Sequence, residues 1–345
     1  MYSFKNDYSE GAHPDILKSL VENNFDQQNG YGDDEYSLKA KECLKEKMNN
    51  PDAAIYFVSG GTQANLLVIS ALLRTHEAVI SAETGHIFAN ETGAIELTGH
   101  KVIAVPTQNG KLTAADIQNT FDSYQLRPHV VKPKLVYISN STEIGTFYNK
   151  AELLELAEVC RSLNLFLFMD GARLGHALTA EANDLTLSDV SNLTDVFYVG
   201  GTKNGALFGE AIVFKNSQVC SEFDYVLKQR GALLAKGRVL GIQFYELFKE
   251  DLYFVLAEKA NKYAAQIAEA IKEAGYEFLT ESATNQIFPI LPKTVISSLH
   301  EKFAFYVWKE IDESRSAVRL ITSWATDQKS VNEIIEDIKN SSVLE

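Results

Sequence analysis

Short runs of β-branched and aromatic residues alternate with longer stretches of helical periodicity over roughly the first two thirds of the chain. Apolar runs at 54–58, 79–81, 101–105, 135–139, 165–169, 195–199 and 211–214 predict strands, and segments such as 62–73 and 150–163 predict helices between some of them. This alternation predicts an α/β fold: a mostly parallel sheet with crossover helices and any site at the carboxyl ends of its strands. After about residue 241 the pattern changes to a long helical stretch up to 274, separated strands at 276–279, 286–291 and 318–322, and a final helix near 327–339. The change predicts an N-terminal arm and large α/β domain over 1–245, followed by a smaller α+β domain over 246–345. No repeat or low-complexity linker marks the boundary.

Composition narrows the function classes. The 345 residues are 46% apolar and 23% charged, enough for a large core and long for a single one. A net charge of −14 leaves no basic footprint for nucleic acid and disfavours an anionic membrane surface, so neither partner is expected. Cys43, Cys160 and Cys220 are far apart and odd in number, which fits a reducing compartment. The polar opening at 1–7 has no apolar signal core, and no apolar run approaches a membrane span. The expected location is the cytoplasm.

The candidate chemistry sits just after two strands. Lys203 lies in Gly200-Gly201-Thr202-Lys203-Asn204-Gly205, and Asp170 and Arg173 lie in Met169-Asp170-Gly171-Ala172-Arg173. A pyridoxal phosphate site needs a lysine amine that condenses with an aldehyde, a carboxylate for the pyridine nitrogen and a cradle for one phosphate. The spacing from Asp170 to Lys203 leaves room for about one helical excursion and a return strand, which would bring both side chains to one sheet edge. A candidate cradle is Ser59-Gly60-Gly61-Thr62, where a strand runs into an apolar helix and free amides favour an anion. Neither a dinucleotide fingerprint nor a P-loop pattern occurs. His86 follows a strand, where its imidazole could cover a planar ring or act as a base; the other histidines show no comparable setting. Arg319 interrupts the apolar run Val318-Arg319-Leu320-Ile321-Thr322, which suits either a bidentate carboxylate clamp or an inter-strand salt bridge. No metal ligands are assigned.

Taken in order, Tyr31-Gly32-Asp33-Asp34, Gly61-Thr62 with Asn65, His86-Ile87 with Glu91, Asp170-Gly171-Ala172-Arg173, Thr202-Lys203 and Val318-Arg319 resemble the L-threonine aldolases. These belong to the beta-eliminating lyase group of fold-type I pyridoxal phosphate enzymes. The resemblance runs from about Asp7 to the last helix. It implies a carbon–carbon lyase that cleaves L-threonine or related β-hydroxy-α-amino acids to glycine and an aldehyde. In that reading Lys203, His86 and Asp170 are catalytic; Gly61, Thr62, His86, Asp170, Arg173, Thr202, Lys203 and Lys236 bind the cofactor; Arg319, Arg173 and Tyr31 meet the substrate. Lys203 carries the cofactor, His86 stacks on its ring and Arg319 is the main carboxylate clamp. The resemblance also implies a homodimer or a homotetramer of dimers with shared sites, in which Tyr31 and Lys236 reach a neighbouring subunit.

Three positions depart from the family pattern. Thr142, in Ser139-Asn140-Ser141-Thr142-Glu143, stands where many members carry a histidine associated with the substrate β-hydroxyl. Asn6-Asp7 replaces the common Ser-Asp pair, and segment 230–238 around Lys236 lacks the usual glycine run. The Thr142 departure keeps β-elimination and transamination open as alternatives on the same cofactor, with a non-catalytic cofactor-binding module as a third.

Overall fold

The computed structural model describes residues 1–342. After a two-residue strand β1 (Tyr2–Ser3), the central sheet is built from β2 (Ala54–Val58), β3 (Glu77–Ala82), β4 (Lys101–Val105), β5 (Lys132–Ser139), β6 (Phe166–Asp170), β7 (Val196–Gly200) and β8 (Glu210–Phe214). The strand order is β2-β8-β7-β6-β5-β3-β4. The pairs among β3 to β7 are parallel, and β8 runs antiparallel to both its neighbours. The fold class read from the sequence is the one observed.

Alternation along each strand explains why the strand sequences are apolar on both sides. Ile80, Val136, Leu167, Met169, Phe197 and Val213 enter one apolar cluster. Their neighbours Val79, Leu135, Phe168, Val196, Ile212 and Phe214 enter another on the opposite face. Each such side chain contributes about 1.5–3 kcal/mol of burial, so the two covered faces outweigh any single polar contact in the sheet.

The C-terminal part contains β9 (Gln286–Ile287), β10 (Ile290–Pro292), β11 (Phe303–Ala304), β12 (Tyr306–Glu310) and β13 (Arg315–Ile321). β13 pairs antiparallel with β9, β10 and β12, while β11 pairs in parallel with β1. Phe4 is buried there among Ile267, Leu291, Phe303, Val318 and Ile334. The amino terminus therefore packs against the last hundred residues.

Several expectations change in this half. The helix expected over 241–274 is two helices, Arg238–Lys249 and Leu252–Glu273, because Asp251 between them takes a left-handed backbone with φ 61°. Segment 276–279 is not a strand; Phe278 makes a single bridge to Pro289. The run 286–291 is divided at Pro289, which has no amide hydrogen to donate. β12 escapes periodicity because all five of its residues are exposed. Residues 246–249 continue the helix Arg238–Lys249, and Leu247, Phe248, Tyr253 and Leu256 share a cluster with Ile16, Leu44 and Met169. Among the described residues no helix is long and apolar enough to cross a membrane.

Candidate active site

Parallel pairing brings the carboxyl ends of β6 and β7 side by side, with Asp170 closing β6 and Lys203 three residues beyond β7. Two short helices, Leu174–Leu178 and Leu187–Leu193, fill the connection where one excursion was expected. The backbones approach so closely that a Cβ on Gly171 would lie 1.8 Å from the Tyr198 carbonyl oxygen, and one on Gly200 2.4 Å from that of Ala172. Only glycine fits at either position.

A cavity of about 320 Å³ opens at this edge; Gly60, Gly61, Thr62, His86, Asp170, Arg173, Thr202 and Lys203 are among its lining residues, as are Tyr8, Ser139, Ser141, Glu143, Tyr198 and Glu210. A larger cleft of about 620 Å³ elsewhere is bordered by Lys111, Glu152 and Lys272. Lys111 is already engaged there by Glu152 and the Phe147 carbonyl, and the chemistry-bearing residues gather at the smaller cavity.

Asp170 projects on the same sheet face as Tyr137 and Tyr198. Tyr137 donates to Asp170 Oδ2 at 2.5 Å, Asn65 Nδ2 donates to the same oxygen at 3.2 Å, and the Ala172 amide donates to Oδ1 at 3.0 Å. Burial works to raise the Asp170 pKa, but the His86 charge and the hydrogen bonds from Tyr137 and Tyr198 outweigh it and hold the group below its ordinary value. A buried, ionised carboxylate results. Asn65 also donates to Glu91 at 2.7 Å, and Glu91 sits 2.9 Å from His86 Nδ1. Burial works to lower the His86 pKa; the Glu91 bond and the Asp170 charge prevail and raise it.

Lys203 shows the opposite balance. Burial pushes its amine pKa down, Arg173 pushes the same way, and Asp7, Asp170 and Glu210 oppose without prevailing. A lowered pKa keeps more of the amine in its nucleophilic form. Glu210 escaped the sequence reading, although a lone carboxylate opening a fully buried strand was the available signal. It accepts from the Gly201 amide at 3.0 Å and the Thr202 hydroxyl at 2.8 Å, and Thr202 in turn accepts from the Gly209 amide. Burial pushes its pKa up to about 8. Because the folded value lies above the ordinary 4.5, Glu210 favours folding below about pH 4.5, and that contribution is lost as pH rises through 8. Thermal melts of the cofactor-free Glu210→Gln protein should therefore gain on the parent from pH 4.5 to 8; a constant difference would mean that Glu210 does not titrate there.

Arg173 lines the cavity, but its Nε and Nη2 are held by Asp7 at 2.7 and 3.0 Å, and Asn285 donates to the same carboxylate. The Arg173 charge holds Asp7 far below the usual carboxylate range against the opposing effect of burial. Arg319 lies outside the cavity lining, on β13. Its guanidinium stands over the rings of Trp308 at 4.8 Å and Tyr306 at 5.5 Å, and its Nε is buried without a partner. Aromatic faces hold it rather than an inter-strand salt bridge. Tyr31 and Lys236 are both exposed and both outside the lining; the Tyr31 amide donates to the Ala235 carbonyl at 3.2 Å, so the two occupy adjoining loops. His176 was passed over in the sequence. It is fully buried with neither ring nitrogen partnered, and burial, reinforced by Arg173 and Lys203, pushes its pKa down to about 4.

The cavity suits a phosphorylated aromatic aldehyde. At one end, the helix Gly61–Leu72 starts behind Gly60 with no side-chain cap, so its first amides face outward beside the Thr62 hydroxyl. At the other, Asp170 offers an ionised oxygen to a ring N–H, and burial together with the Arg173 charge lowers the proton affinity of the Lys203 amine.

This sheet, with its single antiparallel β8 and a lysine just after β7, is the fold-type I pyridoxal phosphate architecture. The aspartate aminotransferase of Thermus thermophilus shares the fold with a TM-score of 0.71 at 14% identity, over 99% of this chain and 91% of that one. The beta-eliminating lyase family matches residues 12–293. The low specificity L-threonine aldolase of Pseudomonas aeruginosa is 33% identical over 97% of this chain and 96% of its own length. A threonine aldolase structure from Leishmania major superposes with a TM-score of 0.97 at 46% identity, covering 99% of this chain and all of the other. The chain belongs to the beta-eliminating lyase family, among its L-threonine aldolases.

Proposed function

We propose that this protein is a pyridoxal phosphate-dependent aldolase that cleaves L-threonine, L-allo-threonine and related β-hydroxy-α-amino acids to glycine and an aldehyde. The observation that carries the reading is the convergence of Lys203, Asp170, His86 and the bare helix start at Gly61 and Thr62 on one cavity. Lys203 would hold the cofactor through its amine, Asp170 would pair with the ring nitrogen, His86 would cover the ring, and Gly61 with Thr62 would take the phosphate. When bound, pyridoxal phosphate supplies a π system able to accept the electron pair of the breaking Cα–Cβ bond.

The chain's own groups orient that bond. Arg319, with its Nε unpaired, is the clamp for the substrate carboxylate, and fixing the carboxylate sets the direction of Cα–Cβ. Arg319→Lys should raise KM for L-threonine about 10- to 100-fold with a smaller change in kcat, the size of one lost charged hydrogen bond. An unchanged KM would place the clamp elsewhere. We also propose a homodimer, or a tetramer of dimers, in which Tyr31 and Lys236 serve a neighbouring copy, since both are exposed and outside the cavity of their own chain. Sedimentation of a fully active monomer would remove that arrangement.

Product analysis with L-threonine tests the reaction. Equal glycine and acetaldehyde support retro-aldol cleavage. Ammonia with 2-oxobutanoate would move the assignment to β-elimination, and a requirement for an oxo-acid acceptor would move it to transamination.

A further inference from the structure

Thr142, which stands at the family's histidine position, is turned away from the cavity. It is fully buried, its hydroxyl shares a 2.7 Å hydrogen bond with that of Thr146 and accepts the Thr146 amide at 3.2 Å, and its carbonyl accepts from the Gly145 amide and from Gln286 Nε2. These bonds close a turn over residues 142–146, so Thr142 serves the turn. The next residue faces the other way. Glu143 lines the cavity, and its Oε1 accepts from the Ser139 hydroxyl at 2.7 Å and from the His86 amide at 2.9 Å. The edge that carries Oε2 makes neither bond. On the same wall the Ser141 hydroxyl is buried with no partner at all.

His86 is a poor candidate for taking a proton from the substrate. Its Nδ1 is occupied by Glu91, and the Glu91 bond and Asp170 charge favour the protonated imidazole. Glu143 is a second proton-accepting group on the same wall. We propose that Glu143, with Ser141 beside it, receives the β-hydroxyl of the substrate and takes its proton as the Cα–Cβ bond breaks. The assignment rests on the aldolase reading. In this step the O–H bond breaks and its electron pair becomes the second bond of the aldehyde carbonyl. The Cα–Cβ pair remains with Cα, where a later proton completes glycine, and the β-oxygen's proton ends on the Glu143 carboxylate. No oxidant or reductant enters.

The electrostatics agree with the geometry. Burial pushes the Glu143 pKa up and the Asp170 carboxylate adds to it, against the opposing effects of the Ser139 bond and the His86 charge. A carboxylate with a raised pKa is a stronger base than one in water. Arg173, Tyr137 and Tyr148 are the other titratable groups that sense it.

The test is Glu143→Gln in the holoenzyme. Glutamine keeps an oxygen for the Ser139 and His86 donors, so the wall is retained while proton acceptance is lost. The expected result is a fall in kcat on L-threonine of about 10²- to 10⁴-fold, the usual contribution of a positioned base. Affinity for glycine, which has no β-hydroxyl, and for pyridoxal phosphate should stay at the parent values by calorimetry. Thr142→Val should keep the parent kcat, because its hydroxyl is spent within the turn. A Glu143→Gln enzyme with the parent kcat overturns the proposal. So does a loss of kcat matched by equal losses of glycine affinity and melting temperature, which would assign Glu143 a structural role. A parent that releases no glycine from L-threonine overturns the aldolase reading itself, and this assignment with it.

Discussion

Lys203→Ala should give a folded protein with kcat/KM on L-threonine reduced on the order of 10⁴- to 10⁶-fold, the range for losing the attacking group of a covalent catalytic unit. The size follows from there being no substitute. Lys203 is the lysine in the cavity wall, its amine pKa is lowered by burial and by Arg173, and the exposed Lys236 lies outside the lining. The fold should tolerate the change. A lysine whose folded pKa lies below its ordinary value weakens folding while it is charged in the unfolded chain, so that penalty fades as pH rises. Removing the amine should leave the melting temperature of the cofactor-free protein equal or higher near neutral pH. Melts and single-turnover glycine release check both halves. A variant that keeps more than about one percent of parental turnover would sink the assignment, since even the weaker losses in such units exceed that.

The large sheet was readable because burial on both faces leaves apolar runs with sharp polar ends. β2 and β4 match their predicted spans, and the other five central strands differ by no more than three residues at an end. β12 was not readable for the same reason in reverse: its residues are exposed, so nothing selects alternation there. The helix break at Asp251 depends on one backbone angle that the surrounding apolar pattern does not signal.

The site divides along a similar line. Lys203, Asp170 and the glycine pair at 60–61 carry local signals, because the chain must turn tightly at strand ends. Tyr137 and Tyr198 read as ordinary strand aromatics; only the register that sets Ser139 beside Asp170 shows their hydroxyls converging on that carboxylate. Arg319 reads in the sequence as a carboxylate clamp or an inter-strand salt bridge; the second falls away because β12 places two aromatic rings against its guanidinium. Asp7 and Arg173 are joined across nearly half the chain, a pairing that no local pattern encodes. Glu143 is the plainest case, since one residue of rotation in a turn decides which side chain faces the cavity.

Asp170→Asn separates electronic tuning from local structure more cleanly than a truncation does. Asp170 has two duties: Oδ1 accepts the Ala172 amide and braces the turn through Gly171, while the ionised carboxylate faces the cavity. Alanine would remove both and strand the hydroxyls of Tyr137 and Tyr198. Asparagine keeps an oxygen for Ala172 and similar volume and removes the charge; its amide nitrogen replaces Oδ2, so the Tyr137 hydroxyl can turn to accept, while Asn65 Nδ2 loses that acceptor and keeps its bond to Glu91. Turnover on L-threonine should fall about 10²- to 10³-fold, the loss for one preorganised electrostatic group in a dry site. The melting temperature near neutral pH should change much less than in Asp170→Ala. A second readout is independent of turnover. Asp170 helps raise the His86 pKa, so the His86 imidazole should titrate at lower pH in the asparagine variant when followed by proton NMR. The acid limb of stability should flatten as well. A carboxyl held below its ordinary 3.8 contributes stability above that value and loses it as pH falls through the depressed one. If turnover and melting temperature fall together in the asparagine variant while His86 titrates as before, Asp170 is a turn-bracing residue and the ring-nitrogen partner must be sought among the other groups on the wall.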